Sequence, residues 1–259
     1  MNGVSMAGDV RGRLAFGHLV DPKRAAGEDR DLLAIFANTI TAADALTAAV
    51  LRASIEECLA NGTKKVDYMP PIDPKVDQTL ENLLGPLPEI CSSIRDGKPA
   101  PHRDRHAIIP ATAIRDEEGL ELTALAIKAI AGHLRLSQRE WEMAIAAAVA
   151  FGTNGLIHAS HSTCGVVICA GIEPRSSAIV VAAADLGGGS GINLRDAIER
   201  SRTKLGGLAQ LPLIAERKEL HIALHLAVGT EEANLRNRWQ YEARSNVPGW
   251  CASMEILRT

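Results

Sequence analysis

Residues 178–191 read AIVVAAADLGGGSG, an apolar run that ends at Asp185 and is followed by a glycine-rich loop. Short β-branched apolar runs bounded by turn residues predict buried strands. Glycines tolerate positive φ angles and let a ligand approach the backbone, so the loop is either a ligand contact or a tight turn into the helix expected from Leu194. A carboxylate at the strand end can accept a hydrogen bond from an exocyclic amine.

The helix expected upstream of this strand carries a second polar group. The sequence Ser137-Gln-Arg-Glu140 fits a capping box, which predicts a helix from there to about His158. Asn154 and His158 are four residues apart and therefore project from the same face of that helix. A carboxamide oxygen facing a cleft can bind Mg²⁺, and the alternative is an Asn that is solvated or caps the helix end.

Length and composition bound the class of protein. The chain has 259 residues, of which 46% are hydrophobic and 3% aromatic, so a sizeable aliphatic core is expected. The formal net charge of −3, with scattered basic residues, favours neither nucleic acid nor a membrane surface as a partner. Five cysteines without a CxxC pair, no long apolar run and no signal-peptide pattern predict a cytoplasmic protein with no membrane segment.

Two stretches rich in glycine, proline or charge divide the chain. Residues 1–30 are predicted to be an N-terminal arm, and residues 96–109 a linker. Residues 31–95 have the pattern of a small β-α-β-α segment. Residues 110–259 predict two helices followed by several adjacent strands, which indicates an α+β sandwich with the helices on one face of the sheet.

Within the small segment, two short apolar runs predict strands near Leu32–Ala37 and Lys65–Met69. The helix between them is expected to be capped by Thr41. A strand, a crossover helix and a second strand imply a parallel pair.

The order of the C-terminal pieces resembles a known family. A helix with Thr153-Asn154-Gly-Leu-Ile-His158 precedes two strands, and Asp185-x-Gly187-x-Gly189 follows the second strand. This resembles the N box and first glycine box of the GHKL (Bergerat) ATPases, most closely the histidine-kinase-like anti-sigma-factor kinase branch. The resemblance covers roughly residues 110–259 and implies a two-layer α/β sandwich. Residues 31–95 resemble a STAS-type unit.

The resemblance also implies ligands and site residues. In that family the asparagine holds Mg²⁺ and the aspartate hydrogen bonds the adenine amino group, so ATP or ADP with Mg²⁺ is expected at Asn154 and Asp185. The sequence Lys204-Leu-Gly206-Gly207 is the nearest match to a phosphate-binding second glycine box, although it also fits a helix-ending turn. The remaining residues expected around the nucleotide are His158, Gly187, Gly189 and Gly191.

The chain departs from the family at one catalytic position. Ala150 stands where the family has the glutamate that orients water or activates a hydroxyl. A methyl group cannot act as a base, and loss of one typically costs about 10²–10⁴-fold in rate. We therefore expect a nucleotide-binding regulatory protein with weak or absent hydrolysis, which acts through nucleotide-dependent binding of a protein partner, as a homodimer or in a hetero-complex.

Three alternatives stay open. The first is a pseudo-ATPase interaction module that binds no nucleotide. The second is a dinucleotide-binding enzyme, although the glycines at positions 187, 188, 189 and 191 do not match the G-x-G-x-x-G spacing. The third is a hydrolase that uses the stretch HASHSTCG, residues 158–165, which has no G-x-S-x-G elbow.

Overall fold

The protein is a mixed α+β molecule with two β-sheets. A computed structural model describes residues 3–11, 32–89, 91–93, 107–158, 164–186, 194–203, 207–236, 238–243 and 249–258. The strands are β1 (Gly3–Asp9), β2 (Leu32–Ala42), β3 (Lys65–Met69), β4 (Cys91–Ser93), β5 (Ala107–Ile114), β6 (Val166–Ile172), β7 (Ile179–Asp185), β8 (His221–Val228), β9 (Glu231–Leu235), β10 (Trp239–Ala243) and β11 (Trp250–Leu257). The helices are α1 (Ala45–Ala60), α2 (Pro74–Leu84), α3 (Glu117–Ala131), α4 (Gln138–His158), α5 (Leu194–Thr203), a 3-10 helix (Gly207–Gln210) and α6 (Leu211–Arg217).

The small sheet has the strand order β1-β2-β3-β4, with every pair parallel. The predicted parallel pairing of β2 with β3 through a crossover helix is confirmed. The prediction of an N-terminal arm over residues 1–30 is wrong for Gly3–Asp9, because these residues form strand β1. Pairing with β2 satisfies the backbone of β1, and Met6 is fully buried, so this segment has stabilising contacts that its glycine-rich composition does not suggest.

The start of α1 also differs from the expectation. Strand β2 continues to Ala42, so Thr41 lies in the strand and does not cap the helix. Asp44 is the N-cap instead: its carboxylate accepts a hydrogen bond from the Thr47 amide at 3.0 Å, and the Asp44 amide donates to the Thr47 hydroxyl at 3.1 Å. This reciprocal capping box satisfies orphan amides at the helix start and explains why the helix begins at Ala45.

The large sheet has seven antiparallel strands in the order β10-β9-β8-β11-β7-β6-β5. Strand β5 begins at Ala107 and pairs with β6, so the last three residues assigned to the linker 96–109 belong to the sheet. Residues 94–106 lie outside the described part of the chain.

Helices cover both faces of the large sheet. Helices α3 and α4 pack on one face, which we call the α4 face, while α1 packs on the other, the α1 face. Helix α1 lies between the two sheets and is buried on nearly all sides, as expected for a helix that is apolar all round. Residues from 31–95 and from 110–259 therefore share the hydrophobic core around α1.

The predicted capping box of α4 is confirmed. The Ser137 amide donates to the Glu140 carboxylate at 2.6 Å, and the Glu140 amide donates to the Ser137 hydroxyl at 3.3 Å. No helix within the described residues is long and apolar enough to cross a membrane.

Candidate functional site

Asp185 lies at the end of β7 and faces α4. Successive strand residues point to opposite faces of a sheet. Ile179, Val181 and Ala183 belong to the core under α4, and the intervening residues belong to the core under α1. Asp185 continues the first set, so its side chain is on the α4 face, where the residue is 2% exposed.

The cross-strand neighbour of Asp185 is Trp250, the first residue of β11. Directly opposed residues share a sheet face, and Trp250 belongs to the same core under α4. Its indole meets Phe151 of α4 edge to face, with ring centroids 6.2 Å apart and an interplanar angle of 73°. The ring therefore bridges the sheet and the helix beside Asp185.

Asn154 is partly exposed and lies one turn beyond Phe151 on α4. Gly152 and Gly155 fix the orientation of the helix: a β-carbon at Gly155 would lie 2.6 Å from Val166, and one at Gly152 would lie 2.4 Å from Leu120 of α3. At about 100° per residue, position 154 is about 100° from Gly155 and about 160° from Gly152. Asn154 therefore lies on the flank of α4 away from α3.

The structure thus brings two of the sequence-predicted site residues to the same side of the large sheet. Asn154 and Asp185 are separated by the aromatic pair of Phe151 and Trp250. Gly207 begins the 3-10 helix with φ +66°, which fits the helix-ending turn that the sequence offered as an alternative to a phosphate loop. His158 is the last residue of α4. Those residues predicted for the site that lie outside the described part of the chain are Gly187, Gly189, Gly191, Lys204 and Gly206.

The segment that follows Asp185 returns to α4. Leu194 and Ile198 of α5, and Leu211 and Ala215 of α6, are buried in the same core as Phe151. Helix α5, the 3-10 helix and α6 therefore form a cover on the α4 face.

The first backbone amide of α5 donates a hydrogen bond to a carboxylate. The Leu194 amide donates to Glu231 of β9, and the Arg195 guanidinium lies 4.7 Å from the centre of the Tyr241 ring. The side chains of Glu231, Arg195 and Tyr241 line a cavity of about 270 Å³ together with two further acidic groups. The lining residues are Arg195, Glu231, Glu232, Tyr241, Glu242 and Ala243. Three carboxylates beside one guanidinium make this end of α5 unfavourable for phosphate.

Glu140 and Glu142 form hydrogen bonds in the first turns of α4, far from Asn154. Burial alone would raise the pKa of Glu140, but hydrogen bonds from Ser137 and Arg258 outweigh it and the net pKa is lowered. The pKa of Glu142 is lowered chiefly by its hydrogen bond with Lys218. Helix rise places Glu140 about 21 Å and Glu142 about 18 Å from Asn154 along the axis, so neither carboxylate lies near Asn154.

Gly249 is a site residue that the sequence does not single out as essential. A β-carbon there would lie 2.0 Å from the Asp185 carbonyl oxygen and 2.7 Å from Leu186 Cα. The start of β11 therefore approaches the end of β7 so closely that only glycine fits. The signal in the sequence is the Pro-Gly pair before the last strand, which also marks an ordinary turn.

A second buried polar group lies on the opposite, α1 face. His225 Nδ1 is 2.6 Å from the Asn234 side-chain oxygen, and the Asn234 amide donates to Glu232 at 3.1 Å. Ser253, the cross-strand neighbour of His225, is fully buried, and its hydroxyl has no hydrogen-bond partner within the described residues. Among those same residues, no cluster of three or more His, Cys, Asp or Glu side chains could hold a metal ion.

Comparison with known proteins identifies no relative. No family model, no curated protein and no solved structure matches this chain.

Proposed function

We propose that this protein is a regulatory module that binds ATP or ADP with Mg²⁺ on the α4 face and hydrolyses it weakly or not at all. The observation that supports this most is that Asn154 and Asp185 lie on the same side of the large sheet, flanking one aromatic pair. Asp185 would accept from the adenine amino group, and the Asn154 oxygen would bind the nucleotide-associated Mg²⁺.

Regulation would act through the segment after Asp185. Nucleotide contacts near Asp185 and the glycine-rich loop would bias the position of α5, the 3-10 helix and α6, which pack against α4. A ligand shifts such an equilibrium only by its differential affinity for the two arrangements. The surface of that segment would then bind a protein partner in one nucleotide state and not in the other.

Weak turnover follows from the residues on α4. Ala150 offers no proton acceptor, and Glu140 and Glu142 are held by Arg258 and Lys218 at the other end of the helix. Without a base, the expected loss of rate is about 10²–10⁴-fold.

Isothermal titration calorimetry with ATP or ADP and Mg²⁺ tests this proposal. The wild-type protein is expected to bind, and Asp185→Asn and Asn154→Ala are each expected to weaken binding at least about tenfold, the loss from removing one hydrogen bond to a charged group or one metal contact. Two variants serve as matched controls. Thr153→Ala changes an exposed position of the same helix, and Glu121→Gln changes an exposed position of α3. Absence of binding at millimolar nucleotide would overturn the proposal.

One observation favours a second function, an interaction module that binds no nucleotide. Trp250 is 6% exposed beside Asp185 and fills space that a purine would need. In that case Asp185→Asn and Asn154→Ala would leave partner binding unchanged. The dinucleotide alternative gains no support, because both neighbours of β7 are antiparallel, whereas that fingerprint belongs to a parallel βαβ unit.

A further inference from the structure

Trp250 bridges the gap that separates Asp185 from Asn154. It is the register partner of Asp185 on β11, and its indole reaches across the α4 face to Phe151. Phe151 in turn lies one helical turn before Asn154. The path from the carboxylate to the carboxamide therefore runs across two packed aromatic rings.

The indole is held in this place by its surroundings. Trp250 is 6% exposed and Phe151 is fully buried, and an edge-to-face pair at this distance is a favoured aromatic arrangement. Gly249, immediately before Trp250, is pressed against the Asp185 backbone, so the start of β11 cannot shift without breaking its junction with β7. A purine that enters between the Asp185 carboxylate and Phe151 would meet the indole, so we expect the indole to change rotamer when a purine binds there.

We infer that Trp250 is a gate residue that sets the affinity of the site for adenine nucleotides, an inference that rests on the function proposed above. The closed indole competes with the base for the space beside Asp185. The binding-competent state is then the minor one, and the apparent Kd of the wild-type protein is raised by the inverse of its population. Removing the indole makes the site permanently open.

The test compares Trp250→Val with the wild-type protein by calorimetry with ATP and Mg²⁺. Valine keeps a β-branched apolar residue on the strand, and we expect its Kd to be at least about tenfold lower, which corresponds to a competent population of about a tenth or less in the wild type. Trp141→Phe is the control, because Trp141 lies near the start of α4 beside Lys128 and should leave the Kd unchanged.

The outcomes separate the gate from the proposed function. Tighter binding by Trp250→Val than by a wild type that itself binds supports the gate and the proposed function. If only the variant binds, the wild-type site is never open, and the proposed function is wrong together with the gate. If the wild type binds and the folded variant binds equally or more weakly, the gate is wrong and the proposed function stands. If neither folded protein binds, both are wrong.

A second measurement follows Trp250 itself and does not need the Trp250→Val variant. In a Trp141→Phe/Trp239→Phe background, Trp250 is the sole tryptophan. Saturating ATP with Mg²⁺ is expected to shift its emission to longer wavelength, because the indole leaves a site that is 6% exposed. An unchanged spectrum at saturation would show that the indole stays in place and would overturn the gate even if Trp250→Val failed to fold.

Discussion

The two faces of the large sheet are built from different side chains. On the α1 face, the residues of β6, β7, β8 and β11 that contact α1 are mostly small, and α1 packs against them with alanines that are fully buried. On the α4 face the same strands carry larger groups, among them Trp250, Met254 and Leu224, and one strand ends in a buried acid, Asp185. The strand residues that face α1 include Cys169, Ala182, Ala184, Ala227 and Cys251.

The difference in side-chain size indicates that the two faces have different roles. Small side chains let a helix approach a sheet closely, and such tightly packed interiors tolerate little change in volume. The α1 face therefore joins the two sheets into one body. The α4 face has a buried acid at a strand end and a partly exposed amide on the helix, and the ligand site that we propose lies on this face.

The largest effect is expected at the junction beside Asp185. Gly249→Ala puts a β-carbon 2.0 Å from a backbone oxygen, and backbone must move to relieve that contact. We expect a loss of about 3 kcal/mol in the free energy of unfolding, the upper end of the overpacking range. Urea denaturation followed by circular dichroism measures it.

Gly132→Ala is the matched control for that change. Gly132 has right-handed helical dihedrals, and no atom lies within 4 Å of its would-be β-carbon. Its substitution is expected to leave stability unchanged or raise it by about 0.4–1 kcal/mol. Equal effects of the two substitutions would show that β7 and β11 do not approach as described.

The next effect probes the packing of the α1 face. Ala182→Leu inserts a large side chain between β7 and α1, where the wild-type residue is fully buried. Overpacking is expected to cost about 2–3 kcal/mol, measured by the same denaturation experiment. Ala126→Leu on the exposed side of α3 should change stability by less than about 0.5 kcal/mol. A tolerated Ala182→Leu would mean that α1 does not press against the sheet.

A smaller effect is expected at the polar group on the α1 face. Asn234→Leu leaves His225 Nδ1 buried without its acceptor, so we expect a loss of about 1–2 kcal/mol. The double variant His225→Leu/Asn234→Leu should cost less than the sum of the two single changes, because no unpaired ring nitrogen remains. Strict additivity would show that the two side chains are not coupled.

The smallest effect is at the start of α4 and depends on pH. The pKa of Glu140 is lowered in the folded protein, so its contribution to stability is present above its unfolded pKa of about 4.3 and is lost as the pH falls through the lowered value. Glu140→Gln is expected to cost about 1 kcal/mol near neutral pH and less near pH ~3. Glu121→Gln, on exposed α3, is the control. A cost that does not change with pH would contradict this assignment.

Much of the architecture is readable from the sequence, because local chemistry and tertiary packing agree there. The Ser137–Glu140 capping box and the apolar runs of β3 and β7 predict their elements within a residue or two.

The misses have a common physical cause. Strand β1 depends on pairing with β2, which begins 29 residues later, so its glycine-rich sequence looks like a loose arm in isolation. The sequence does not indicate the cap at Asp44, because β2 extends further than its most apolar core. The packing of α1 between two sheets is a long-range property of a helix whose sequence is simply apolar on all sides.

The candidate site also contains residues that the sequence indicates and residues that only the structure indicates. Asn154 and Asp185 could be selected from the sequence because an Asn inside a helix is mildly unfavourable and a carboxylate at the end of a buried strand can accept a hydrogen bond from a ligand. Trp250 and Gly249 could not, because their roles depend on the register that sets β11 against β7. An aromatic residue at the start of a strand is ordinary until its neighbour is known.

Binding of nucleotide between Asp185 and Asn154 can be seen directly in a crystal structure of the protein soaked with ATP and Mg²⁺. We expect nucleotide density on the α4 face, with the adenine amino group against the Asp185 carboxylate, the metal beside the Asn154 amide oxygen and the Trp250 indole in a new rotamer. Nucleotide bound on any other surface, or an unliganded α4 face at saturating ATP with the Trp250 ring still packed on Phe151, would contradict it.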